Sequence, residues 1–308
     1  MGARTTTSAA DKAEARRQLA VQLHATITEK VDALTESDAW RAYLDAAMSF
    51  HEYSFRNILL ILAQKPEATR VAGFRSWQGR GRQVRKGEKA IRIYGYSSRT
   101  VTETDPGTGD KQDRKVPTFP ILSVFDISQT DPIEGHPQPE EIAQLLTGAD
   151  PANIYDRTAA VMTARGWTVT REPIAGSANG YTTTDGSRRI VVDETLEPAA
   201  AAKTMLHEAA HSHIHAPQIT DPDARKDLHR GRMEVEAEAV AYVLAGLQGL
   251  DTSAYSVGYI AGWADGDTAA ITDTAQTVLE CVHELADALD AHDAQHEADT
   301  TNESGSAA

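Results

Sequence analysis

Apolar positions along the chain follow two periods, one typical of helices and one typical of strands. Leu19, Leu23, Ile27, Val31 and Leu34 recur three or four residues apart, which predicts an amphipathic helix over residues 11–35. The same spacing, with prolines near some segment ends, predicts further helices. These cover residues 37–48, 57–64, 139–147, 153–165, 198–215, 232–248 and 268–293.

Strand patterns lie between these helices. The letters DPGTGD stand between two extended arms and predict a long hairpin, and FPILSVFD predicts a strand after it. In the second half, residues 167–171 are a predicted strand, and SANGYTTTDGSRRIVVDE predicts a hairpin that turns near Gly186. The mixture predicts an α+β fold, with a first half of helices and hairpins and a mainly helical second half that carries a small sheet.

A segment rich in proline and acidic residues, TDPIEGHPQPEE, separates the two halves. Segments of this composition commonly lie between domains. We therefore predict an N-terminal domain over residues 10–130, a linker over 131–140 and a C-terminal domain over 141–295. Residues 296–308 are small and polar, so we predict a disordered tail there.

Composition narrows the classes of partner. The chain has 308 residues and a net charge of −15, which argues against nucleic-acid binding over its whole surface but allows a local basic patch. A single cysteine, Cys281, excludes an internal disulfide and a cysteine-based zinc cluster. The sequence shows neither a secretory signal nor the run of about 18 apolar residues that a membrane span needs. We expect a cytoplasmic protein with no membrane partner.

The stretch TMLHEAAHSHIH contains the pattern H-E-x-x-H on a predicted helix. His207 and His211 are four residues apart, so both imidazoles lie on one helix face and can reach one zinc ion. Glu208 is placed to act as a general base on the attacking water and not as a ligand. The pattern predicts a zinc-dependent hydrolytic site, and the alternative is a polar helix face that matches a short pattern by chance.

A catalytic zinc site needs a third protein ligand. The helix RMEVEAEAVAYVLAGL carries Glu234 and Glu238 on one face, among apolar residues where an unpaired carboxylate is costly. We expect Glu234 to be the ligand and Glu238 to hydrogen-bond a zinc-binding imidazole or the rim of the site, with the reverse assignment as the alternative. Glu236 points away from both. His215 ranks lower as a ligand because a straight helix carries it about 12 Å beyond His207.

The two histidine and glutamate segments together resemble a known enzyme group. HEAAHSHIH followed by EVEAEAVAYVLA is similar to the ImmA/IrrE group of gluzincin-type metallopeptidases, although AGLQGLD replaces the apolar-Met-Pro ending common in that group. The resemblance implies zinc ligands at His207, His211 and Glu234, with Glu208 as the general base. In such peptidases a strand edge before the active-site helix commonly aligns the substrate, and Arg189–Val192 is the candidate here.

Basic residues are concentrated in one part of the first half. Between Arg56 and Arg99, eleven Lys or Arg residues stand against two acidic residues. Aromatic residues and glycines are interleaved with them, a combination typical of single-strand binding. A solvated basic face with core aromatics would have the same composition.

Three segments of this half resemble the N-terminal single-stranded-DNA-binding domain of ArdC-type antirestriction proteins. They are FHEYSFRNILLILAQ, VAGFRSWQGRGRQVRKGEKAIRIYGY and ILSVFDISQT. ArdC-type proteins also carry a metallopeptidase-like C-terminal domain, so the two resemblances support each other. They imply single-stranded DNA as a partner. The residues that we expect to contact DNA are Arg56, Trp77, Arg82, Arg85, Lys86 and Lys89.

The sequence therefore predicts a single-stranded DNA-binding protein with a zinc-dependent metallopeptidase-like domain. Its expected setting is antirestriction or other mobile-DNA biology, and its protein substrate is unidentified. The alternative is a DNA-binding protein whose zinc site is structural or inactive and which has no peptidase activity.

Overall fold

A computed structural model describes residues 9–104, 111–134, 150, 152–176, 178–217, 230–250 and 267–306. The chain divides into two compact units. Unit 1 comprises Met1–Lys30 and Arg56–Glu140, and unit 2 comprises Val31–Phe55 and Glu141–Ala308. Both units combine helices with small sheets, so the predicted α+β class is confirmed. The predicted helix at 139–147 lies outside the described residues.

The first half of the chain alternates short helices with short strands. Where described, its strands form three antiparallel sheets, with the orders β1-β6-β3, β2-β7 and β4-β5. The elements are α1 (Ala9–Ala33), α2 (Ser37–Phe50), α3 (Phe55–Gln64), β1 (Val71–Gly73), α4 (Phe74–Gly79), β2 (Arg82–Val84), β3 (Ile91–Tyr94), β4 (Ser97–Thr104), β5 (Lys111–Thr118), β6 (Ile121–Asp126), a 3₁₀ turn (Ile127–Gln129) and β7 (Thr130–Pro132).

Two amide side chains of α3 bind the outer edge of β3. Asn57 Nδ2 donates to Tyr94 O at 2.8 Å, and Tyr94 N donates to Asn57 Oδ1 at 2.9 Å. Gln64 makes the same two-way contact with the backbone of Arg92, at 2.8 and 2.9 Å. The two amides stand two helical turns apart and meet backbone groups two residues apart on the strand. They therefore close a strand edge that would otherwise present unpaired backbone groups.

The end of β6 is fixed by the buried carboxylate of Asp126. Its Oδ2 accepts from the backbone N of Thr69 and Arg70 at 2.9 and 3.0 Å, and its Oδ1 accepts from Ser128 N at 3.0 Å. Gln129 completes the turn by accepting from Asp126 N at 2.9 Å. Burial opposes ionisation, but these amide donors hold the pKa of Asp126 below its ordinary value.

Unit 2 packs helices around one small mixed sheet. Its strand order is β8-β10-β9, with β10 parallel to β8 and antiparallel to β9. Besides α2, its elements are α5 (Ile154–Ala164), β8 (Thr168–Glu172), β9 (Gly180–Thr182), β10 (Arg189–Asp193), α6 (Pro198–Ala210), a π-helical turn (His211–His215), α7 (Arg230–Leu247) and α8 (Thr268–Ser306).

Helices α6 and α7 form the centre of unit 2 and contact each other. Both bury many alanines, and small side chains allow two helix backbones to approach closely. This close approach lets polar side chains of the two helices meet at one site. The buried alanines are Ala201, Ala202, Ala209 and Ala210 of α6 and Ala237, Ala239, Ala241 and Ala245 of α7.

Residues 31–55 belong to unit 2 although the sequence division assigns them to the N-terminal domain. Tyr242 of α7 donates to Asp45 Oδ1 of α2 at 2.6 Å. Gly246 leaves room for α2, because a Cβ there would lie 2.5 Å from Met48 Sδ. Helix α2 is thus part of the packing around α7.

The last helix is longer than the sequence pattern predicts. The backbone of α8 is helical to Ser306, where composition predicts a disordered tail from residue 296. Extending an existing helix adds a hydrogen bond per residue without a new nucleus, so a polar extension can continue it. Among the described residues, no helix combines the length and the apolarity that crossing a bilayer would need.

Candidate functional sites

Helices α6 and α7 bring three side chains to one point. His207 Nε2 lies 3.1 Å from His211 Nε2, and Glu234 Oε2 lies 3.6 and 3.8 Å from these two atoms. Among the described residues, this is the group whose ligand atoms all fall within 4.8 Å of one another. The helical spacing of four residues gives the two imidazoles a common face, and the packing of α7 adds the carboxylate.

These separations fit a divalent metal. Ligands about 2.0–2.1 Å from a tetrahedral metal stand about 3.3 Å apart, close to the three observed distances. Two imidazoles and one carboxylate are also the donor set of one common class of catalytic zinc site. Glu238 approaches differently, since its Oε2 lies 3.3 Å from Nδ1 of His207, on the far side of that ring.

Glu208 points into the same site from a buried position. Its Oε2 accepts from Thr182 Oγ1 of β9 at 2.8 Å. Burial raises the pKa of Glu208, although the nearby His207 opposes that rise. Gly180 allows this approach, because a Cβ there would lie 2.6 Å from Thr204 Cγ2 and 3.1 Å from Glu208 Cγ. A carboxyl with a raised pKa suits a group that takes up and releases a proton.

The carboxylates around His207 favour the protonated form of its ring. Burial alone would lower its pKa, but Glu234 and Glu238 outweigh burial and raise the pKa of His207 to about 9. The same imidazoles lower the pKa of Glu234. Lys203 forms an ion pair with Glu238 and so fixes that carboxylate behind the ring.

His211 is held by a second, fully buried pair that the sequence analysis missed. His211 Nδ1 lies 2.9 Å from His215 Nδ1, and His215 Nε2 lies 3.0 Å from Glu236 Oε2. Arg232 and Thr274 donate to Glu236 Oε1 at 2.6 and 3.3 Å. His215 follows His211 by four residues within the π-helical turn, a feature frequent at functional sites.

The chemistry of this pair fixes the tautomer of His211. Burial lowers the pKa of His215, which favours its neutral ring. A carboxylate only accepts, so His215 Nε2 donates to Glu236 and its Nδ1 accepts from His211 Nδ1. The Nε2 atom of His211 then carries a lone pair directed toward His207 and Glu234. The signal in the sequence was the second four-residue histidine step together with Glu236.

A cleft of about 570 Å³ opens at this point, and strand β9 forms one wall of it. Among the described strands, β9 is at an edge of the sheet, whereas β10 pairs on both sides. The prediction that Arg189–Val192 aligns a substrate by strand addition is therefore wrong, because β10 has no free edge. The strand edge next to Glu208 is Gly180–Thr182.

The structure also corrects one predicted DNA contact in unit 1. Trp77 is 0% exposed and donates through Nε1 to Phe125 O at 2.8 Å, so its ring is a core element and cannot stack on a base. Arg82 donates to Thr130 Oγ1 at 2.7 Å. Arg85 forms ion pairs with Glu88 and Asp131, which neutralise much of its charge.

The other three predicted cations, Arg56, Lys86 and Lys89, are exposed and form no ion pair within the described ranges. Lys86 lines a cavity of about 640 Å³ together with Phe74, which is 43% exposed. Phe74 and Trp77 stand three residues apart on one short helix, and of these two rings only that of Phe74 is exposed.

A second exposed aromatic group stands beside the β4-β5 hairpin. Tyr96 and Phe119 are 77% and 63% exposed, and their ring centroids lie 5.9 Å apart. Arg99 and Lys115 lie on the adjoining strands β4 and β5. Exposed rings beside cations are the elements of a base-stacking surface.

Comparisons with known proteins match two separate segments of the chain. Residues 17–125 match the family model described as the N-terminal domain of anti-restriction factor ArdC. Residues 162–245 match the peptidase M78 model, described as the IrrE N-terminal-like domain. Both resemblances seen in the sequence are thereby confirmed.

Relatives of the whole chain are distant. An uncharacterized protein of Bacillus anthracis is 26% identical over 249 residues, which cover 70% of this chain and 41% of that relative. The chain thus spans less than half of that relative's length.

One solved structure shares the fold, and a second structure of the same protein is also similar to the chain. The Mn(II)-bound antirestriction ArdC protein from plasmid R388 is 20% identical with a TM-score of 0.52, over 85% of this chain and 96% of that one. Its metal-free form is 23% identical with a TM-score of 0.49, over 77% of this chain and 85% of that one.

Proposed function

We propose that this protein is a metal-dependent peptidase that also binds single-stranded DNA. The proposal is supported by the two family matches, to an ArdC N-terminal domain and to an IrrE N-terminal-like domain. The single observation that carries the enzymatic half is the triangle of His207, His211 and Glu234 with Glu208 beside it. The biological setting we propose is antirestriction or the handling of incoming mobile DNA.

His207, His211 and Glu234 are the residues that would hold the metal. A divalent metal bound there would polarise a peptide carbonyl and lower the pKa of a coordinated water. We propose zinc because the donor set is the one found in many zinc peptidases. The Mn(II)-bound form of R388 ArdC makes manganese the ion to compare with it.

Glu208 supplies the acid–base chemistry in this proposal. It takes a proton from the attacking water and passes it to the leaving amine. Thr182 orients its carboxylate through the 2.8 Å contact. The edge of β9 next to Glu208 would pair with the backbone of an extended substrate, because its outer backbone groups face away from β10.

The test is cleavage by the metal-loaded full chain, with and without single-stranded DNA, of a bacterial protein extract whose new N-termini are identified by mass spectrometry. Wild type should produce new N-termini that Glu208→Ala does not, because only the base is lost. Metal content should stay near one ion per chain in wild type and Glu208→Ala, and fall in His211→Ala and Glu234→Ala. Cleavage that survives Glu208→Ala unchanged would contradict the proposed role.

The proposed DNA binding is supported by exposed residues on the surface of unit 1. Arg56, Lys86 and Lys89 are exposed, and Phe74 stands beside Lys86 in one cavity. A backbone phosphate needs such unpaired cations, and a base needs an exposed ring. We therefore propose a surface that includes Phe74 and the Tyr96–Phe119 pair in place of Trp77.

A further inference from the structure

A second cavity adjoins the cleft that contains Glu208. It measures about 480 Å³ and shares Thr184 and Ala216 with that cleft. We call it the basic pocket. Its lining includes Met162, Arg165, Trp167, Arg188, Ser212 and His213. Because the two cavities share wall residues, a chain extended along the cleft can place a side chain in the basic pocket.

The charge of the basic pocket is positive, in a protein of net charge −15. Its lining contains two guanidinium groups, and none of the lining residues is acidic. Arg165 donates to Glu284 O at 3.3 Å and lies 3.4 Å from His213 Nδ1. Its own contacts are thus with a carbonyl and an imidazole, and the carboxylate of Glu284 pairs with the other nitrogen of that imidazole, 3.2 Å from Nε2 of His213.

Arg188 is held in the pocket by an unusual backbone. Its φ is 51°, a left-handed conformation that residues other than glycine rarely adopt. Within the described residues its guanidinium makes no ion pair, and its Nη1 would lie 3.4 Å from a Cβ placed on Gly166. The guanidinium therefore lies within ordinary contact distance of the chain at Gly166. Backbone strain of this kind is concentrated at ligand sites.

We propose that the basic pocket is a specificity subsite that binds an acidic side chain of the cleaved polypeptide. The two guanidiniums offer forked donors that match a carboxylate. Met162 and Trp167 supply apolar surface for the methylene groups of glutamate. This inference rests on the proposed peptidase function, because it treats the adjoining cleft as the substrate site.

The test measures binding, so it does not depend on turnover. Two fluorescent alanine-rich peptides that differ only in one Glu or Gln are titrated against metal-loaded, full-length Glu208→Ala protein. The Glu peptide should bind about tenfold more tightly, as expected for a charge-assisted pair. Arg188→Ala and Arg165→Gln should each remove that preference. Arg189→Ala is the matched control, because Arg189 follows Arg188 and pairs instead with Glu172.

Equal binding of the two peptides, no binding of the Glu peptide, or a preference that survives both arginine variants would overturn the proposal. Competition by a single-stranded oligonucleotide that is lost in Arg188→Ala would also overturn it, because the pocket would then hold a DNA phosphate. A Glu preference without Glu208-dependent cleavage would leave the subsite standing and reject the peptidase function. Glu208-dependent cleavage without a preference for the Glu peptide would support the peptidase function and reject the subsite.

Discussion

At the scale of single residues, the two imidazoles of the candidate metal centre have different partners at Nδ1, the ring nitrogen away from the metal site. His207 has Glu238 at 3.3 Å from its Nδ1, and that carboxylate is in turn paired with Lys203. His211 is hydrogen-bonded to the neutral ring of His215, and that ring is hydrogen-bonded in turn to Glu236. Such outer partners fix the orientation of the ring and its tautomer, and losing one typically weakens metal binding about 10–100-fold.

Removing the outer partner of His211 should therefore weaken metal binding. In His215→Ala, His211 can carry its proton on either nitrogen, and the buried carboxylate of Glu236 loses one of its hydrogen-bond donors. We expect metal affinity, measured by competition with a chromogenic chelator, to fall about 10–100-fold. The cobalt absorption spectrum should also change, because the ligand geometry relaxes.

His213→Ala is the control for this prediction. His213 lies in the same π-helical turn, but its ring contacts Glu284 and not the metal centre. It should keep wild-type metal affinity. If His215→Ala also keeps that affinity and its cobalt spectrum, the ring of His215 does not orient His211.

At the scale of elements, side chains fix the short strands of unit 1 where backbone ladders are too short to do so. Asn57 and Gln64 bind the outer edge of β3, and Asp126 ties β6 to the backbone at Thr69 and Arg70. A buried carboxylate that accepts several amide hydrogens is costly to replace, because the donors are left without acceptors. These residues therefore connect segments of unit 1 that are far apart in the sequence.

Asp126→Asn should destabilise unit 1 in a pH-dependent way. The folded protein lowers the pKa of Asp126, so this carboxylate contributes stability above its unfolded-state pKa and loses it as pH falls through the folded-state value. We expect a loss of about 1–3 kcal/mol at neutral pH. The difference from wild type should shrink as the solution is acidified, as urea unfolding at a series of pH values will measure.

Asp131→Asn is the matched control, because its carboxylate is largely exposed and pairs with Arg85 at the surface. Surface pairs of this kind contribute about 0–1 kcal/mol. An Asp126→Asn protein as stable as Asp131→Asn at neutral pH would show that the amide cluster does not hold β6 in place.

At the scale of the whole molecule, a strongly acidic chain carries one strongly basic region. The eleven basic and two acidic residues between Arg56 and Arg99 give a local excess of nine positive charges within a net charge of −15. The structure divides these cations into groups. Some, such as Arg85, are paired within unit 1, whereas Lys86 and Lys89 remain exposed and are available to phosphates.

A Lys86→Ala/Lys89→Ala variant should bind single-stranded DNA more weakly. Each lost phosphate contact should reduce the slope of log affinity against log salt by about 0.7. Fluorescence anisotropy with a labelled oligonucleotide over a salt series measures both quantities. Arg17→Ala/Lys30→Ala removes the same charge from α1 and should change the slope less. Equal effects of the two variants would mean that net charge and not this surface decides binding.

The sequence by itself determined the features that depend on near neighbours. Helical spacing placed His207 and His211 on one face with Glu208 next to the first of them. The period of apolar residues predicted most helices and both hairpins within a few residues. The family motifs pointed to both domain types through their residue patterns alone, although Asn57 and Asp126 within them bind backbone groups far away in the sequence. Local spacing translates directly into local geometry, so these predictions needed no knowledge of packing.

Only the tertiary structure decided which distant residues meet and which are buried. Trp77 and Phe74 lie on the same short helix, but packing with Ala72 and Val84 buries the ring of Trp77, whereas that of Phe74 stays 43% exposed. Whether β9 or β10 has a free edge depends on where β8 pairs in the sheet. The alternation of apolar and polar residues cannot reveal this order, because every strand has the same period of two residues. His215 and Glu236 became partners only because α7 packs against α6 and the π-helical turn. Such contacts join residues far apart in sequence, and no spacing along the chain encodes them.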